Sequence, residues 1–192
     1  MAPEDRRQAI IVATLPLILE RGADLTTREI AQAAGVAEGT IFRAFETKQE
    51  LVSEAIIQAL RDDSASAQLA ALGSDRPLRQ VVEECLRILQ EEVSRTRALT
   101  SVFFHREGAV PDRRCLPFDP SQRHARTLRL RAGVVAALHP YADQISVELE
   151  TAATAIFGMA FALSHEMAEP QPDHRPRALA DLVLHGIAKG TT

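Results

Sequence analysis

Arg6, Arg7, Arg28, Arg43 and Lys48 are the N-terminal cations that could meet a phosphate backbone, provided a fold gathers them on one face. Charge alone does not do this. Residues 1–48 hold six basic side chains, Arg21 included, against seven acidic ones, and the 192-residue chain has a formal net charge of -4. Geometry must therefore bring them together, and residues 26–51 offer one. Ala31 is small enough for two helices to cross closely, Gly35 tolerates the left-handed turn that ends a helix, and Ile41 returns an aliphatic group to the same core. That spacing predicts a helix-turn-helix, whose second helix ordinarily lies in the major groove of a DNA duplex.

Local chemistry marks the element boundaries. Thr26 and Glu29 form a capping-box pattern flanked by Leu25 and Ile30 as a hydrophobic staple, and Thr47 with Glu50 repeats the box at the next helix. Ala37, at the start of the second helix, has no side-chain oxygen with which to cap it.

These residues resemble the tetracycline-repressor (TetR) family of bacterial transcription regulators. The likeness runs from about Arg7 to Leu60 and rests on Thr26, Ile30, Ala31, Ala34, Gly35, Val36, Gly39, Thr40, Ile41, Phe42, Phe45, Lys48 and Leu51. Beyond residue 60 only helical pattern and length are shared. The family usually has Tyr where this chain has Phe42, and Pro16 falls inside the expected first helix, where it should remove a hydrogen bond and bend the chain. Carried over by motif position, the resemblance implies DNA contacts from Thr27, Arg28, Glu38, Gly39, Thr40, Phe42, Arg43 and Lys48.

Composition agrees with an all-α fold of about nine helices: 46% of residues are hydrophobic, only 4% are aromatic, and Ala, Leu and Arg dominate. The expected organisation is a three-helix helix-turn-helix head over residues 1–50 and a helical ligand-binding and dimerisation body over 51–192. Expected helices are Arg7–Arg21, one long helix from Thr47 to Leu69, Leu78–Ser94, Arg97–Arg106, Ser121–Leu138, Ile145–Met167 and Ala178–Lys189. No enzyme motif stands out: there is no Gly-rich phosphate loop, no Gly-x-Ser-x-Gly, no His-Glu-x-x-His and no paired Cys ligands. Neither a catalytic group, a metal site nor a cofactor is therefore expected. Cys85 reads as a buried small hydrophobe and Cys115 as a residue of an Arg- and Pro-rich loop. Without a leader pattern or a long apolar run, a cytoplasmic protein with no membrane contact is expected.

The body is where the resemblance implies a small-molecule pocket. Cys85, Phe103, Phe104, Phe118, Leu128, Phe157, Phe161 and His165 share an apolar character on different helices and could line it, although Phe at helical spacing also builds ordinary cores. The helix over Ile145–Met167 is apolar all round and the last helix is amphipathic. Together with the resemblance they suggest a four-helix interface between two copies, carried by Ile156, Met159, Ala160, Leu163, Leu179, Leu182, Val183 and Ile187. The implied function is a ligand-released dimeric regulator on an inverted-repeat operator, with repression the usual outcome. The alternative is a helical protein–protein adaptor that does not bind DNA.

Overall fold

The computed structural model describes residues 3–102, 120–163 and 176–187. Among them are nine α-helices and no strand: α1 (Pro3–Arg21), α2 (Thr27–Ala34), α3 (Glu38–Ala44), α4 (Lys48–Arg61), α5 (Ser64–Ala70), α6 (Leu78–Ser101), α7 (Pro120–Leu138), α8 (Leu149–Leu163) and α9 (Pro176–Ile187). The all-α expectation holds. The described residues group into two compact units, one of 3–62 with 95–102, the other of 63–94, 120–163 and 176–187.

In the first unit α1 packs on α2, α3 and α4, and α2 packs on α3. Ile10, Ile18, Ile30, Ile41, Leu51 and Ile56 are buried at their meeting point, each contributing roughly 1.5–3 kcal/mol by leaving water. Helix α1 begins at Pro3, four residues before the expected Arg7. Proline is tolerated at a helix start, and Glu4 and Asp5 complement the positive helix end there. It also runs unbroken through Pro16. Pro16 and Val12 both face solvent, so water can serve the Val12 carbonyl that loses its N–H partner.

Two breaks between helices also differ from expectation, and α8 and α9 begin at Leu149 and Pro176 where Ile145 and Ala178 were expected. The long helix from Thr47 divides at Asp62–Asp63, where Asp62 turns extended (φ -64°, ψ 124°). The carboxylates there compete with helix geometry and bind distant cations instead, Asp62 to Arg95 at 3.2 Å and Asp63 to Arg129 at 2.7 Å. Conversely, the separate helices expected either side of Ser94 are one helix, α6. Its polar stretch holds neither Gly nor Pro, and Thr100 and Ser101 donate back to the Thr96 and Ala98 carbonyls, both at 2.8 Å. The continuation of the expected α8 to Met167, and of α9 to Lys189, lies outside the described residues.

In the second unit α5 lies against α7, α7 against α8 and α8 against α9, around Leu69, Val82, Leu86, Leu89, Val134 and Ile156. Arg126 of α7 and Glu92 of α6 form an ion pair with little solvent contact on either side chain. Gly133 lets α5 approach: a Cβ there would stand 2.9 Å from the Leu69 Cβ and 3.0 Å from the Ser66 carbonyl oxygen. Gly133→Ala is therefore expected to lower stability by about 1–3 kcal/mol, the usual effect of overpacking. Denaturant unfolding checks this, and an unchanged midpoint would mean that α5 moves aside freely.

Candidate nucleic-acid interface

The helix-turn-helix is built from local chemistry. At the start of α2 the Thr26 hydroxyl accepts from the Glu29 amide (3.3 Å), while the Glu29 carboxylate accepts from the Thr26 amide (2.8 Å), closing the capping box. At its end Gly35 adopts φ 65°. Its N–H reaches the Gln32 carbonyl (3.3 Å) and that of Val36 the Ala31 carbonyl (3.0 Å), a Schellman closure that requires the left-handed residue. Helix α3 then starts at Ala37 without a side-chain cap and ends at Phe45, whose N–H donates to Ile41 at 2.8 Å.

The sides of α3 are unequal. Ile41 and the adjoining Phe45 are buried in the head. Glu38, Gly39, Phe42 and Arg43 are exposed and Thr40 is half-buried. Phe42 is 54% exposed, so its ring does not pack into the head. Its usual Tyr counterpart carries a hydroxyl that Phe42 lacks, leaving an apolar surface. Thr27, at the first position of α2, donates its hydroxyl to the Glu38 carboxylate and so orients it.

The six head cations have separate fates. Arg7 pairs with Glu50 and Glu54, and Arg21 with Glu29. Lys48 is half-buried and donates its ammonium to the Leu25 carbonyl at 2.9 Å, tying the start of α4 to the residue before the α2 cap. Arg6 is half-buried on α1. Arg28 and Arg43 are exposed, and no ion pair to either is found among the described residues. Counting charges in the sequence could not separate these cases. The acidic partners of Arg7 lie 43 and 47 residues away along the chain.

The second capping box is half formed. Thr47 accepts from the Glu50 amide at 3.0 Å, but the Glu50 carboxylate takes the Glu46 N–H (2.7 Å) and Arg7 (3.1 Å) rather than the Thr47 N–H. The backbone N–H of Glu46 chiefly, then Arg7, hold the Glu50 carboxyl below its ordinary range. The Thr26 N–H and hydroxyl do the same for Glu29. A carboxylate with a lowered native value stabilises the fold above the unfolded-state pKa and loses that contribution as pH falls through the native value. Head stability is thus expected to fall as pH drops below the ordinary carboxylate range. Glu29→Gln and Glu50→Gln should flatten that acid limb, read by helical circular dichroism against pH. An unaltered limb in both would detach these carboxylates from the acid transition.

The described residues of the expected pocket differ in burial. Cys85 is wholly buried, and burial pushes its thiol up to about 12. Phe157 packs against the same core from a half-buried position. Leu128 and Phe161 are 47% and 48% exposed and are not enclosed with Cys85. Phe103, Phe104, Phe118 and His165 lie outside the described residues. Of the expected interface set, Ile156, Ala160, Leu179 and Val183 are buried in the unit's own core and Met159 packs against it, whereas Leu182 is 64% exposed. Leu163 and Ile187 fall in α8 and α9, but their side chains are outside the description. The outward face of α8 carries Thr151, Thr154, Ala155, Gly158, Phe161 and Ala162, at helical spacing. Beyond Thr151 and Thr154 this face is as apolar as the buried one, so sequence reading did not separate the two.

A capped helix, a left-handed Gly turn and a short helix with one buried and one exposed side define a helix-turn-helix module of the kind that enters a DNA groove. Residues 10–55 match the N-terminal family model of the bacterial regulatory proteins of the tetR family. It is 30% identical over 113 residues to the HTH-type transcriptional repressor KstR of Mycolicibacterium smegmatis, covering 57% of this chain and 55% of that protein. The chain thus spans about half the length of the curated relatives it matches. In fold it is similar to a TetR-family transcriptional regulator from Mesorhizobium loti, at a TM-score of 0.59 and 17% identity over 98% of this chain and 100% of that one. It is also similar to SmeT, solved with triclosan, at a TM-score of 0.56 and 22% identity over 96% and 92% of the two chains. Among the described residues no helix is long and apolar enough to cross a membrane.

Proposed function

We propose that this protein is a non-enzymatic transcriptional regulator that binds double-stranded DNA through α3, as a homodimer on an inverted-repeat operator, and is released by a small molecule. The observation that carries the reading is the two-sidedness of α3: Ile41 anchors it while Glu38, Gly39, Phe42 and Arg43 face outward, and Arg28 is exposed on α2. Arg28 and Arg43 have guanidinium forks suited to a guanine edge or a phosphate, and the Glu38 carboxylate suits a cytosine amino group. Thr40 offers its hydroxyl to a phosphate, Thr27 spends its own on holding Glu38, and Lys48 retains N–H donors beyond the one given to Leu25. The repressor KstR among the relatives supports repression as the sign of control. Acting on DNA, the protein would work in the cytoplasm.

Two copies would meet through the outward face of α8, with Ala155, Gly158, Phe161 and Ala162, and through Leu182 of α9. The SmeT–triclosan structure supports an apolar effector bound in the body, near Cys85 and Phe157. Effector binding would favour a dimer whose two α3 helices no longer match both half-sites, a coupling typically worth about 1–3 kcal/mol.

Selection of bound duplexes from a random DNA pool tests the reading. A recovered palindrome whose affinity falls steeply with salt is the expected result. No enrichment at low salt would favour the adaptor alternative. Gly39 supplies a sharper check, since a Cβ there would meet nothing within 4 Å in the protein. Gly39→Ala should keep or raise stability, by up to about 1 kcal/mol, yet weaken binding to the selected duplex because the methyl meets DNA. Unchanged affinity would place Gly39 away from the groove.

A further inference from the structure

Arg7 is a cation of the N-terminal helix that does not face outward. Its guanidinium joins three elements. One nitrogen donates to the carbonyl of Ala44, the last residue of α3. The others reach Glu54 (3.3 Å from Nε) and Glu50 (3.1 Å), both on α4. Its plane lies over the Phe45 ring, 4.1 Å from the centroid, and Phe45 is itself buried. The Glu50 carboxylate also accepts the Glu46 amide, so the ring of contacts takes in the turn between α3 and α4.

We infer that Arg7 is a positioning residue: it fastens the C-terminal end of α3 to α1 and α4 and thereby sets the attitude at which α3 presents Glu38, Phe42 and Arg43 to DNA. The inference rests on the DNA-binding reading above. A guanidinium suits this role because its planar fork serves two carboxylates and a carbonyl at once while its face covers an aromatic ring. A lysine could keep the charge but not these directions. Since two carboxylates already neutralise it, Arg7 adds little to the field met by phosphates.

The test uses the full chain, the duplex selected by the wild type from a random pool, and a scrambled duplex of equal length. Arg7→Met and Glu54→Gln break the ring from opposite ends. Each is expected to weaken binding to the selected duplex tenfold or more, with scrambled-duplex affinity and the salt slope unchanged. Arg7→Lys should recover little. A merely structural role would lower the melting temperature without separating the two duplexes. A phosphate contact would instead reduce the salt slope by about one in Arg7→Met, weaken both duplexes alike and leave Glu54→Gln unaffected. Either pattern overturns the proposal, as does wild-type affinity in a folded Arg7→Met protein. Should Arg7→Met fail to fold, Glu54→Gln decides by the same criteria. A wild type that binds neither duplex would defeat the regulator reading itself, an outcome distinct from all of these.

Discussion

A protein carrying Arg28→Ala and Arg43→Ala together is expected to lose about 2–6 kcal/mol of binding to its selected duplex. A good two-pronged contact to a base is worth about 1–3 kcal/mol, and contacts made independently add. Both side chains are exposed, so removing them leaves no cavity and no stranded charge in the head. The melting temperature should therefore stay near that of the wild type. That separation matters, since loss of binding with an intact fold points to the surface and not to the scaffold. Each single variant should show about 1–3 kcal/mol in a titration monitored by anisotropy. The base each side chain reads should become tolerant of substitution, whereas a phosphate contact would weaken all sequences evenly. Wild-type affinity in both single variants would remove these residues from the interface.

Phe45→Ala acts on the scaffold and should have the largest effect on stability. The ring is 2% exposed, within the cluster of Ile10, Ile41 and Leu51. Truncating a buried Phe costs about 3–5 kcal/mol through lost transfer energy and the cavity left behind. Here Arg7 also loses the face it covers, so Glu50 and Glu54 lose part of what orders their partner. For a unit of this size the melting temperature should fall roughly 4–8 °C for each kcal/mol. Differential scanning calorimetry reads it, and an unshifted head transition would mean that Phe45 holds little together. Phe45→Leu, which refills most of the space, should recover much of the loss but not the ring beneath the guanidinium.

The legible parts of the fold were those whose causes are local. Thr26 with Glu29, the left-handed Gly35 and the buried Ile41 lie within sixteen residues of one another, and each does what its type and spacing imply. The misread parts depend on distant partners. Asp62 and Asp63 looked like the polar face of a continuing helix, yet their cations are 33 and 66 residues away. A break was expected between Ser94 and Arg97, but the polar run there holds neither Gly nor Pro and α6 continues through it. Arg7 looked like a phosphate ligand because its sign was visible and its acidic partners on α4 were not. Spacing found where α3 sits, and only coordinates showed which of its neighbours are occupied inside the head.

Glu92 and Arg126 are both nearly shut off from water. Losing either one strands the other's charge, a penalty of about 3–5 kcal/mol, while exchanging both for apolar groups of matching volume is close to neutral. Divergence at these two positions is therefore expected to be concerted: descendants of this sequence should keep both ionic partners or neither, and a lineage passing through a single exchange would need a compensating change to survive it.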